Sequence, residues 1–231
     1  RGLALLTVGV HGSALRLVER SPGQLGQQLI IEAEGQTHKS SLPLIGAYQA
    51  ANALVAAGLV IATGGDVSTT LGNLSRLQPV RGRLERAVIT QSGAPVYVDY
   101  AHTPDALEAA IEALRPHCKG RLILVFGAGG DRDTGKRPEM GAIAAQLADY
   151  VIVTDDNPRS EDPATIRAAI LAAAPGARDI GGRREAIAAA ISEAGPDDIV
   201  LLAGKGHEQG QIVGDRILPF DDVAVSRECA A

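Results

Sequence analysis

The chain has 231 residues, 45% of them hydrophobic and 21% charged, with a formal net charge of -5 and no Trp. That balance describes a soluble globular protein of one large or two modest domains with an aliphatic core. It lacks the basic stripe of a nucleic-acid binder, an apolar run near the roughly 20 residues that span a bilayer, and closely spaced cysteines for zinc or a disulfide framework. Cys118 and Cys229 are therefore expected to be inert thiols in a reducing, cytoplasmic setting. No secretory signal opens the chain. Because Arg1-Gly2-Leu3 begins in mid-pattern without Met, the expectation is a fragment of a longer protein.

In chain order, Leu3 to Val10 and Ala14 to Glu19 read as short strands, and Gln28 to Ala33 as a third before the turn at Glu34-Gly35. Tyr48, Ala51, Asn52, Val55 and Leu59 recur near a 3.6-residue period until Gly64-Gly65, which predicts a helix. A shorter helix is expected over Val67 to Leu77, and Pro79-Val80-Arg81-Gly82 marks the boundary between a domain of residues 1–79 and one of 80–231. Beyond it strands and helices alternate. Strands are expected at Pro95–Asp99, Leu122–Phe126, Tyr150–Thr154 and Ile199–Ala203, with helices at Asp105–Leu114, Glu139–Leu147, Ala164–Ala173 and Arg184–Ala194. Uninterrupted apolar strands separated by helices predict an α/β fold, a mostly parallel sheet covered on both faces. Ligands of such sheets bind at the carboxyl ends of the strands.

Each motif of interest sits at one of those ends. Gly127 to Arg137 contains Gly130-x-x-x-x-Gly135-Lys136, most of a phosphate loop, but Arg137 stands where a magnesium-binding hydroxyl belongs. The dinucleotide pattern fails as well, with Arg132 in place of its third glycine. Arg132, Lys136 and Arg137 favour anion binding over a bland turn. In Asp155-Asp156-Asn157-Pro158-Arg159, the proline stiffens a loop suited to fixing a guanidinium; a helix entry with acidic residues and Ser160 supplying caps reads equally well. Gly204-Lys205-Gly206-His207-Glu208 combines close backbone approach with three polar groups. Thr103, Pro104 and Asp105 are explained as a helix start, whereas Asp99 and His102 are not. Together these loops suit a zwitterionic ligand bearing several carboxylates and amines.

Gly82-Arg83-Leu84-Glu85, Asp99-Tyr100-Ala101-His102-Thr103-Pro104, Gly130-Asp131-Arg132-Asp133-x-Gly135-Lys136-Arg137, Asp156-Asn157-Pro158-Arg159 and Gly204-Lys205-Gly206-His207-Glu208 occur in this order in the Mur ligases. The chain resembles the branch that adds the third residue of the peptidoglycan stem peptide, and the Asp-Asn-Pro-Arg run resembles members using meso-diaminopimelate. The resemblance covers essentially the whole chain and is strongest from Pro79 onward. It implies a cytoplasmic, monomeric, ATP- and Mg2+-dependent ligase of cell-wall synthesis with three domains. Residues 1–79 would be the tail of the central ATP-binding domain, and 80–231 the Rossmann-like carboxyl-terminal domain. The phosphate loop, the magnesium ligands and a carbamylated lysine have no match, so no catalytic residue is expected here and the chain alone should be inactive.

Matched position by position, the resemblance assigns Arg132, Asp156, Asn157, Pro158, Arg159, Gly204 and Glu208 to meso-diaminopimelate. It assigns Asn52, Arg83 and Asp99 to ATP, with His102, Lys136 and His207 in support. Tyr48-Gln49 departs from the Phe-Asn common in relatives. The reaction implied runs through an acyl phosphate on the UDP-N-acetylmuramoyl-dipeptide, which the diaminopimelate amine attacks. A bidentate Arg is the natural partner of the carboxylate that distinguishes diaminopimelate from lysine. Such charge-assisted bonds contribute about 1.5–3 kcal/mol each. The alternatives are another amide-bond ligase of the Mur and folylpolyglutamate synthetase superfamily, a stand-alone binding module for an acidic amino acid, or a dinucleotide-dependent oxidoreductase.

Overall fold

The computed structural model describes residues 5–231, and the chain divides into two compact units after Pro79. In the first, β1 (Val8–Gly9), β2 (Leu15–Gly23), β3 (Gly26–Ala33) and β4 (Gln36–Leu42) form one sheet in that order. The β1–β2 pair is parallel and the others antiparallel. Of the strand expected over Leu3 to Val10, Leu3 and Ala4 lie outside the described residues, and only Val8–Gly9 pair. The strand β4 was not legible because Ser40 and Leu42 are its only buried residues. Glu34 and Gly35 carry it back from β3 with φ of +50° and +74°, the primed turn whose twist matches the strands it joins.

Next come α1 (Ala47–Ala62) and α2 (Val67–Gly72), the latter continued by a 3-10 turn at Asn73–Arg76. The α1 helix lies where the periodicity put it, and the face opposite those residues is the buried one. Tyr48, Ala51, Asn52, Val55 and Leu59 are exposed, whereas Ala50, Ala53, Leu54 and Ala57 join the core of Leu15, Leu29, Ile31 and Leu42. Both faces are apolar enough that period alone cannot choose between them. Small alanines let the helix lie close on the sheet.

The second unit is built on a six-stranded sheet of order β5-β6-β10-β7-β8-β9. Its strands are β5 (Glu85–Ile89), β6 (Pro95–Asp99), β7 (Leu122–Phe126), β8 (Tyr150–Val153), β9 (Arg178–Asp179) and β10 (Ile199–Ala203). Only the edge strand β5 runs antiparallel to its neighbour. Between the strands lie α3 (Pro104–Leu114), α4 (Lys136–Leu147), α5 (Pro163–Leu171) and α6 (Arg183–Glu193); α7 (Asp222–Cys229) ends the unit. A hairpin, β11 (Gly210–Val213) and β12 (Arg216–Pro219), stands apart from the main sheet.

Every residue of β6, β7 and β10 is buried, as continuous apolar strands covered on both faces must be. On one face Val96, Val98, Ile123, Val125, Val200 and Leu202 pack with α6 and α7. On the other, α3, α4 and α5 cover β8 and β10. Thr103 caps α3, with Pro104 in its first turn, as read. The cap of α5 is acidic, Asp162, while Ser160 bonds to Asp131 instead. Because α4 follows β7 on one face and the chain leaving β10 reaches α7 on the other, a crevice opens between these neighbouring strands.

Candidate functional site

The loops that follow β6, β7, β8 and β10 meet at this crevice and line a cavity of about 470 Å3. Arg132 comes from the loop after β7; Asp156, Asn157 and Arg159 from that after β8; Gly204 and Glu208 from that after β10. His102 and Lys136 also line it, and so does Tyr100. A hollow of about 530 Å3 around Ser21 to Gln28 in the first unit is larger, but no charged side chain lines it.

The loops after β7 and β8 are sewn together. Gly130 N–H donates to the Asn157 carbonyl at 2.9 Å, and the Asp131 carboxylate accepts from the Ser160 amide and hydroxyl at 3.1 and 2.7 Å. Glu161 accepts from Asp131 N–H at 2.6 Å and from Arg137 Nη2 at 2.8 Å. The bond from Ser160 holds the Asp131 carboxyl below its ordinary pKa, and the Arg137 bond does the same for Glu161.

Arg137 is therefore buried in the wall and absent from the cavity lining. The expected cationic trio splits: Arg132 and Lys136 reach the cavity and Arg137 braces the loops behind it. Burial lowers the Lys136 pKa, while its Nζ donates to the His102 carbonyl at 2.8 Å.

Arg159 has φ of +52°. Its backbone is held by the hairpin, with N–H donating to Ile212 at 3.0 Å and the carbonyl accepting from Gly214 at 2.7 Å. Its Nη1 donates to the Gly130 carbonyl at 2.7 Å and to that of Asn157 at 3.5 Å. Among the described residues, Nε and Nη2 have no partner. The hairpin grips the rest of this loop too: Gln211 Nε2 donates to the Asp156 carbonyl at 2.6 Å and Ile212 N–H to Asn157 Oδ1 at 2.9 Å.

Lys205, read from the sequence as one of three polar groups of its loop but given no role, is fully buried. Its Nζ donates to Asp156 Oδ1, Asn157 Oδ1 and Glu208 Oε2 at 3.3, 3.0 and 3.3 Å. Asn157 Nδ2 also donates to Glu208 Oε2 at 3.0 Å. Asp156 Oδ2 and Glu208 Oε1 are left without a partner among the described residues.

The remaining candidates have partners of their own. Pro158 does not line the cavity; its carbonyl accepts from Glu161 N–H at 3.1 Å. His207 packs on the Tyr100 ring at 5.0 Å and His102 on the same ring at 4.7 Å, with the Arg83 guanidinium 5.1 Å from its centroid. Both Asp99 oxygens accept backbone N–H groups, from Leu84 at 2.8 Å and Ala101 at 2.9 Å. Burial nevertheless pushes the Asp99 carboxyl pKa up. Asn52 lies on the exposed face of α1 and donates to Gln49 at 3.4 Å. The hairpin was legible after all: Gly214-Asp215 stands between Ile212-Val213 and Arg216-Ile217, a two-residue hairpin signal.

Comparison with known proteins places this site in context. The family model described as Mur ligase, glutamate ligase domain, matches residues 82–206. UDP-N-acetylmuramoyl-L-alanyl-D-glutamate–2,6-diaminopimelate ligases from Zymomonas mobilis and Caulobacter vibrioides are 63% and 60% identical over 99% and 96% of this chain. The matches cover 48% and 46% of those proteins, so the chain spans about half their length. A solved structure of a ligase of the same name superposes with a TM-score of 0.81 at 33% identity, over 97% of this chain and 47% of that one. The fold alone is shared with a UDP-N-acetylmuramate–alanine ligase from Thermotoga maritima, at a TM-score of 0.65 and 21% identity over 97% of this chain and 46% of that one.

Proposed function

This chain belongs to the Mur ligase family, and we propose that its second unit holds the incoming amino acid of an ATP-dependent ligase. In this reading the reaction joins meso-diaminopimelate to UDP-N-acetylmuramoyl-L-alanyl-D-glutamate in the cytoplasm, in keeping with relatives named as 2,6-diaminopimelate ligases. Residues 1–79 are the tail of the central ATP-binding domain in this reading. One observation carries it: Arg159, whose guanidinium keeps one edge unpartnered among the described residues, lines the same cavity as Asp156 and Glu208, each of which keeps one carboxylate oxygen likewise unpartnered.

A cation facing carboxylates suits an amino-acid head that carries both charges. Arg159 and Arg132 receive carboxylate, while Asp156 and Glu208 receive ammonium. Lysine lacks the far carboxylate and would leave Arg159 desolvated and unpaired, a loss that can reach about 10⁴-fold. The contribution of this unit to the reaction is to hold the attacking amine in place, since a fixed near-attack geometry supplies several kcal/mol.

The loop from Gly130 to Arg137 does not offer its backbone to the phosphates of ATP, so Asn52, Arg83 and Asp99 remain the proposed contacts to the nucleotide. The N–H groups of Gly130, Asp131, Gly135 and Arg137 are all donated within the fold. Among the described residues no group of three or more His, Cys, Asp or Glu gathers to hold Mg2+. No step through either is assigned to this chain. Titration calorimetry with meso-diaminopimelate and L-lysine tests the reading. Diaminopimelate should bind at least 100-fold more tightly, on the order expected when a built-in polar partner is missing; equal binding, or none, would overturn it.

A further inference from the structure

Lys205 lies at the end of β10 with its ammonium sealed from water. A lysine ammonium has three N–H donors, and the acceptors here are three side chains on two different loops: Asp156, Asn157 and Glu208. Burying an unpaired ammonium is prohibitive, so these acceptors must close on it whenever the unit is folded. Each carboxylate thereby commits one oxygen inward and keeps the other free.

Charge counting gives the same picture. Two carboxylates less one ammonium leave a formal charge of -1 in this cluster. Another buried cation that feels Asp156 and Glu208, Arg183, is already matched by Asp222 through bonds of 2.8 and 2.7 Å. Lys136, Arg132 and Arg159 line the cavity without a hydrogen bond to either carboxylate among the described residues. Within the hydrogen-bonded cluster itself, one carboxylate charge is therefore left without a bonded cation.

We infer that Lys205 is the positioning residue of the amino-acid site, a built-in ammonium that aligns Asp156, Asn157 and Glu208 and reserves a single negative charge for the amine of the substrate. The inference rests on the proposed reading of the cavity as an amino-acid site. Without Lys205, Asp156 and Glu208 repel each other and Asn157 loses a donor to Oδ1. Glu208 then swings away from the cavity.

The test is a double-variant cycle with Lys205→Met and Glu208→Gln, read by calorimetry with meso-diaminopimelate and by thermal melting of the same samples. Wild-type binding tests the reading itself; if the wild type binds no diaminopimelate, that reading fails. Given wild-type binding, Lys205→Met should weaken it on the order of 10- to 100-fold. The Glu208→Gln change should then cost much less in the Lys205→Met background than in the wild type, because both act through the same carboxylate. A purely structural lysine would lower the melting temperature and leave the two losses in affinity multiplicative. Multiplicative losses, or unchanged affinity in Lys205→Met, would sink the inference and leave the reading standing. Should Lys205→Met fail to fold, Lys205→Gln, which retains two donors, enters the same cycle.

Discussion

Arg159 donates from Nη1 to the Gly130 carbonyl at 2.7 Å, so the side chain that ends one loop is fixed by the backbone of its neighbour. Only Nε and Nη2 remain for a ligand, and they form one edge of the planar fork.

Arg159→Lys keeps the charge but has no second donor plane to hold Gly130 and a carboxylate together. Its expected effect is a loss of meso-diaminopimelate affinity of about 1.5–3 kcal/mol, the worth of one charge-assisted bond, with L-lysine affinity little changed. Calorimetry with both amino acids measures this; equal losses for both would refute the role given to the guanidinium.

Gly130 has no room for a side chain, because a Cβ there would lie 2.0 Å from the Pro158 carbonyl oxygen. Gly130→Ala must push the loop after β8 away from the loop after β7. The expected cost is about 1–3 kcal/mol of stability, as for other overpacked positions. Urea denaturation gives that figure, and loss of diaminopimelate binding should accompany it.

Arg183 and Asp222 are both fully buried and paired through two bonds, with Arg183 also donating to the Ala203 carbonyl at 3.1 Å. Asp222→Ala strands the guanidinium charge in the core, which typically costs about 3–5 kcal/mol. Replacing both, as Arg183→Met with Asp222→Ala, should cost less than Asp222→Ala alone. Denaturant unfolding of the two variants decides it.

Glu161 is held below its ordinary value of 4.5, first by its bond to Arg137 and then by the Asp131 N–H. A depressed carboxyl stabilises the fold above its unfolded value and loses that contribution as pH falls through its folded value. Glu161→Gln should therefore melt below the wild type at neutral pH, with the gap closing under acid. A gap that stays constant from pH 7 to well under 4.5 would contradict the assignment.

How much of this was legible depended on what each segment buries. Leu122–Phe126 and Ile199–Ala203 are buried at every position, so their apolar runs announced both strands with correct ends. Their loops could be placed at one rim of the sheet from chain order alone. The α1 helix was found but its buried face was not assigned, since exposed Val55 and Leu59 are as apolar as the alanines that pack. Arg137 and Lys205 could not be told from surface cations by residue type. Their burial depends on partners 24 and 49 positions away, Glu161 and Asp156, a tertiary fact that no local pattern encodes.

The weave of bonds between the β7 and β8 loops bears on redesign. Among the described residues the side chains of Asp131, Ser160, Glu161 and Arg137 bond within these two segments, and the hairpin clasps the Arg159 backbone. Swapping the Asp156–Arg159 stretch for that of an enzyme with a different amino-acid preference would import side chains without the framework that orients them. A successful graft would have to carry three separated stretches as one cassette, residues 129–137, 156–161 and 210–219. Such a site changes its taste in coordinated steps or not at all.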